Sequence, residues 1–334
     1  MGAGARAGAT GPYHPPAGDP LAWPANFGTR FVVFVDTEEE FDWNAPFSRT
    51  AHGVSATSAI PAAHARFADR GVALTWLVDY PIVSDPASVD RIAATLTDGR
   101  SAVGTQLHPW VNPPFDEPLS PRNSFVGNLP ETLEAAKLEV LTDAIAAAFG
   151  ARPVVYRAGR YGIGPATLRL LAERGYQLDS SVRARYDYMG EGGPDFTLIG
   201  NDAYRATEGP VELPLTTAFI GRLRSPALYR ALTRVPKGRG AFARAGLLSR
   251  IALTPESMPL DEVLEAIRVV HGEGLRLLNF AFHSPSLVPG HTPYVRDAGD
   301  LAKFWAWWDG VLNLLAQLGI ANASLDEVLA ASTP

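Results

Sequence analysis

Asp36-Thr-Glu38 follows directly on an unbroken apolar run, Phe31-Val-Val-Phe-Val35. On an extended chain, residues two apart point the same way, so the two carboxylates stand side by side. Paired like this they repel, and at least one pKa rises unless a cation neutralises them. One can then ligate a metal while the other stays free as a base. The next acids, Glu39, Glu40 and Asp42, read as ordinary solvated loop residues. His108 and Asn112 are four apart, and Pro109 suits the first position of a helical turn that would put both on one face with metal-ligand spacing. A hydrogen-bonded structural histidine is an equal reading of His108 taken alone. His283 ends the apolar run Leu277-Leu-Asn-Phe-Ala-Phe and can titrate near neutral pH as a general acid. Arg157 and Asp179 follow two neighbouring runs, and an arginine–carboxylate pair there would orient a base.

These residues need a scaffold that delivers separate segments to one place. Short apolar runs alternate with helical ones. Strands are expected at 31–35, 71–77, 102–107, 154–156, 176–178, 211–215 and 275–282, with a short terminal strand near 320–323. Helices are expected at 56–70, 131–148, 165–174, 260–272 and 299–318. Repeated β–α units without a composition break indicate a distorted parallel (β/α)7-type barrel in one domain, residues 29–334. An insertion near 222–255 falls outside the rhythm. Residues 1–28, rich in Gly, Ala and Pro, are expected to form a loose or draped arm. In a parallel barrel the C-terminal strand ends open on one face, which carries the site. Each residue named above sits at such an end.

The bulk properties narrow the classes. The 334 residues include no cysteine, which excludes thiolate metal sites and cysteine nucleophiles. A net charge of −6 argues against a nucleic-acid partner. No apolar run reaches the roughly 18 residues of a membrane span, and no secretory signal is visible. A cytoplasmic protein, peripheral to the membrane if attached at all, is the simplest expectation.

At these positions the sequence resembles the polysaccharide deacetylases of the NodB-homology, or carbohydrate esterase family 4, fold. The resemblance spans roughly residues 30–330, and its wording Asp-Thr-Glu-Glu-Glu-Phe-Asp-Trp with Gln-Leu-His-Pro-Trp is similar to a bacterial subgroup linked to surface polysaccharides. It implies that Asp36 is the catalytic base and His283 the general acid, with Arg157 and Asp179 holding Asp36. It implies a divalent metal, zinc foremost, bound by Glu38, His108 and Asn112. Two departures stand out: Glu38 replaces an aspartate, and Asn112 replaces a second histidine. A neutral amide oxygen is the weaker zinc ligand, so affinity should fall. The implied reaction is removal of an acetyl group from an N-acetylated sugar of a polysaccharide or its precursor, with Trp110, Tyr161 and His291 as candidate substrate contacts.

From Arg222 to Arg250 there are eight basic residues and no acidic one. An anionic or lipid-linked substrate, or a membrane surface, would suit this segment; so would plain solvation. Phe304, Trp305, Trp307 and Trp308 on the last helix fit core packing better than sugar stacking. Two rival readings are a catalytically impaired carbohydrate-binding protein of the same fold, and a glycosidase. The glycosidase leaves His108, Arg157 and His283 without a role.

Overall fold

The computed structural model describes residues 13–42, 45–207 and 209–333. Seven parallel strands form its frame: β1 Arg30–Thr37, β2 Thr75–Val78, β3 Ala102–Leu107, β4 Val155–Ala158, β5 Leu178–Asp179, β6 Val211–Glu212 and β7 Leu277–His283. β1 is buried from Phe31 to its end, as its unbroken apolar run requires for a strand covered on both faces. The spatial order is β7-β1-β2-β3-β4-β5-β6, every neighbouring pair parallel. This is the sequential order of a barrel, but β6 and β7 form no ladder with each other.

The gap is bridged another way. Asn279 on β7 donates its side-chain amide to Leu213 O at 2.8 Å and its backbone N–H to Thr216 Oγ1 at 2.9 Å. The antiparallel pair Thr217–Ile220 and Ser249–Ala252 follows β6, and Leu253 then links Thr216 to Ala281. The expected insertion, 222–255, therefore holds the excursion between the two strands of this pair and the second strand itself. It carries the short helices Pro226–Ala231 and Gly238–Arg244.

Helices α1 Ile60–Ala68, α2 Glu131–Phe149, α3 Leu260–Gly272 and α4 Ala298–Gln317 are among those covering the sheet. Trp308 on α4 packs against Phe67, Phe280 and Phe282, with ring centroids 4.9–5.9 Å away. Each such ring contributes about 1.5–3 kcal/mol by burial. Of the aromatic run of α4, Phe304, Trp307 and Trp308 are core, as their spacing indicated, and Trp305 is half-buried against them. No helix among the described residues is long and apolar enough to cross a membrane.

Residues 1–12 of the expected arm lie outside the described residues, and the rest of it is draped on the fold. Asp19–Pro20 pairs antiparallel with Tyr204–Arg205, and Trp23 stacks on Phe27 at 4.5 Å. The fifth strand lies later than Tyr176–Leu178. It pairs Tyr156 with Asp179, so Asp179 is a strand residue beside Tyr156 and not a neighbour of the Arg157 head group.

Candidate active site

The strand ends of β1, β3, β4 and β7 open into one cavity of about 700 Å³, lined by Asp36, Glu38, Gln106, His108, Arg157 and His283 among others. Register explains the gathering. His283 pairs with Asp36 across β7 and β1, and Gln106 pairs with Arg157 across β3 and β4.

Arg157 donates from Nη1 to Asp36 Oδ1 at 2.6 Å and is itself held by Ser180, through Nε to the carbonyl and Nη2 to Oγ, both at 2.9 Å. A fully buried guanidinium with a carboxylate and two further acceptors is compensated and rigid. The other Asp36 oxygen, Oδ2, faces His283 Nε2 at 3.8 Å, and Glu38 Oε1 lies 4.0 Å from the same nitrogen. His283 donates from Nδ1 to Glu256 Oε2 at 2.6 Å, so Nε2 is the nitrogen turned to the cavity. Burial alone would lower the His283 pKa, but Glu256, Glu38 and Asp36 outweigh it and push it up to about 10. The same contact works in reverse on Glu256. Its burial favours the neutral form, yet His283 holds it below the usual carboxylate value.

His108 stands on the other side of Glu38. Its Nδ1 meets Glu39 Oε2 at 2.8 Å, its ring stacks on Trp110 at 4.3 Å, and Trp110 donates its indole N–H to Glu39 at 2.7 Å. Glu39, Asp79 and His108 carry donor atoms within 4.8 Å of one another, a group that could hold an ion. Neither carboxylate lines the cavity, however. All four of their oxygens already accept hydrogen bonds, from Trp110, His108, Ile82 and Glu39. This group therefore fixes the ring and tautomer of His108, aiming the Nε2 lone pair at the cavity.

A second donor set is aimed into the open space. Glu38 Oε2 is 3.4 Å from His108 Nε2, and the Gln106 amide nitrogen is 3.0 Å from the former and 3.2 Å from the latter. Ligands about 2.0–2.2 Å from a tetrahedral zinc are about 3.3–3.6 Å apart. Gln106 Oε1 is buried without a partner, and an amide turned by half a rotation exchanges its oxygen and nitrogen. The orphaned oxygen then joins the carboxylate and imidazole as a third donor. Burial is the main cause that pushes Glu38 up to about 8, and a cation would compensate its charge. The residues present fit a divalent metal.

Several expected site residues lie elsewhere. Asn112 closes the expected helical turn, its N–H bonding His108 O at 3.1 Å. Its side chain leaves the site, donating to Pro113 O at 2.7 Å and Lys137 O at 3.0 Å, and it does not line the cavity. The turn is locked from behind by the Lys137 ammonium, which donates to the carbonyls of Pro109, Asn112 and Pro114. Asp179 does not pair with Arg157; successive strand residues face opposite sides, and Asp179 instead accepts from Ser181. Trp110 is a wall behind His108 rather than a cavity contact, and His291 sits 3.5 Å from Glu40 off the cavity. Tyr161 does line it, as does Tyr294 from the His291 loop. Sequence reasoning missed Gln106 and Glu256 and set Glu39 aside as solvated, although Glu39 is wholly buried. Gln106 left a signal: it lies on β3 two residues before His108, which follows the strand end directly, so extended chain turns both the same way. Glu256 left none, since it lies in irregular chain ahead of α3.

No family model and no curated protein matches the sequence. Among solved structures, the chain is similar to one described as a polysaccharide deacetylase from Mycobacterium smegmatis. The two are 17% identical, with a TM-score of 0.54, over 95% of this chain and 94% of that one. The chain has the polysaccharide deacetylase fold. A structure described as a polysaccharide deacetylase from Pseudomonas aeruginosa PAO1 matches at 16% identity and TM-score 0.51 over 92% and 91% of the two chains. An allantoinase matches at 13% identity, the same TM-score and the same coverage.

Proposed function

We propose that this polysaccharide deacetylase-fold protein hydrolyses the acetamide of an N-acetylated sugar in a polysaccharide or its precursor. The observation that carries the reading is Asp36, fixed by Arg157 at 2.6 Å through one oxygen and facing His283 at 3.8 Å through the other. A base and an acid thus share one cavity and are separately held.

Asp36 Oδ2 takes the proton of the attacking water, while Arg157 keeps the carboxylate oriented. The water oxygen bonds to the acetyl carbon, the carbon–nitrogen bond breaks, and His283 Nε2 delivers its proton to the departing nitrogen. The products are acetate and a free amine. Glu256 keeps His283 charged and correctly turned. A divalent cation held by Glu38, His108 and Gln106 supplies polarisation of the acetyl carbonyl when bound. The neighbours' descriptions and the resemblance of the strand-end motifs support a carbohydrate substrate. The impaired-binder reading is less favoured, because both proton-transfer groups face the cavity.

The test is acetate release from a panel of N-acetylated sugars and oligosaccharides, with and without added zinc, magnesium or manganese. Release from at least one member is expected. No release from any of them under any metal condition would remove the deacetylase reading.

A further inference from the structure

Three guanidiniums line the cavity: Arg157, Arg160 and Arg183. Arg157 is neutralised by Asp36, and Arg160 pairs with Glu191. Arg183 forms no salt bridge among the described residues. Its Nη2 donates to the Tyr186 hydroxyl at 3.2 Å, its carbon Cζ stands 3.8 Å over the Tyr186 ring, and its Nε is buried with no partner. Arg250 also stands over Tyr186, at 3.5 Å, and its Nε is likewise buried and unpartnered. Two permanently charged groups against one phenol repel each other, and an aromatic face offsets only part of the lost hydration of a guanidinium. Arg250 ends the basic segment that begins at Arg222. The Tyr161 ring ties this charge to the reacting groups, with Arg157 at 5.7 Å and Arg183 at 6.0 Å from its centroid.

We propose that Arg183 receives a negatively charged group, a carboxylate or a phosphate, carried by the substrate beside the reacting acetamide. The planar fork of a guanidinium suits either group through paired N–H donors. The acetamide part rests on the proposed function; the anion part rests on the unneutralised arginine alone. The test is calorimetric binding of N-acetylglucosamine, N-acetylglucosamine 6-phosphate and N-acetylgalactosaminuronic acid to the full chain and to its Arg183→Met and Arg183→Lys variants. At least one charged sugar should bind the unmodified protein about ten- to a hundredfold more tightly than the neutral one. The favoured sugar identifies the anion as phosphate or carboxylate. Arg183→Met should collapse the charged-to-neutral ratio towards one, and Arg183→Lys should leave it intermediate, as a point charge without the fork does. Equal binding of charged and neutral sugars, absence of binding included, would overturn the proposal, as would a ratio that survives Arg183→Met. Because this readout is affinity, it stands apart from the release of acetate: anion preference without turnover would sink only the deacetylase reading.

Discussion

Glu256 reaches back across 27 residues of chain to accept the Nδ1–H of His283 at 2.6 Å. The contact fixes which imidazole nitrogen faces the substrate and keeps the ring charged, since His283 is pushed up to about 10. A raised pKa means that the acid form is present below that value and lost as pH rises through it. Glu256→Gln keeps the shape and removes the charge, so burial regains influence and the His283 pKa falls. The alkaline limb of the kcat profile should move down from about 10 by at least about one pH unit, and kcat at about pH 10 should fall at least about fivefold. An unmoved limb would remove His283 from the acid role.

Gln106 and Asn112 make opposite predictions about the metal. Gln106→Ala removes a donor within 3.2 Å of both Glu38 and His108, and zinc binding to metal-free protein should weaken about ten- to a hundredfold. Asn112→Ala disturbs only the turn braced by Lys137, and affinity should stay within about threefold. Calorimetric titration with zinc distinguishes the two residues; the reverse ranking would restore Asn112 as the ligand.

Away from the site, burial is the main cause that pushes Glu134 on α2 up to about 7, and its partner is the Thr167 hydroxyl. The folded chain therefore holds a proton that the unfolded chain releases above its ordinary value near 4.5. The associated stability is present at low pH and lost as pH rises from about 4.5 to about 7. Glu134→Gln should be more stable than the parent by about 1–3 kcal/mol at pH 8, with the gap closing below about pH 5. Denaturant melts at the two pH values check this; a gap that does not depend on pH contradicts it.

The parts of this site that were legible in the sequence are those carried by strand ends. β3 lies where its pattern places it, and Asp36, His108, Arg157 and His283 all reach the cavity. What stayed hidden depends on side-chain direction. Asn112 has metal spacing on its turn, but Lys137, buried on another helix, claims that turn's carbonyls. Asp179 follows an apolar run like a strand-end acid, yet the strand continues through it and pairing with Tyr156 turns it away from Arg157. Glu39 reads as one of several loop acids because its partners, Trp110 and His108, lie about seventy residues on. Closure between β6 and β7 was equally invisible, since it rests on Asn279 and on single backbone bonds through Thr216 and Leu253 rather than on a strand ladder.

The most direct measurement compares acetate release by the unmodified protein and by Asp36→Asn, using the N-acetylated sugar that the panel selects and confirming by circular dichroism that both are folded. Asparagine preserves the size of the side chain that Arg157 grips but cannot take the proton of water. A base role for Asp36 requires at least about a hundredfold loss of kcat with the fold unchanged. A folded Asp36→Asn protein that releases acetate at the parent rate would contradict it.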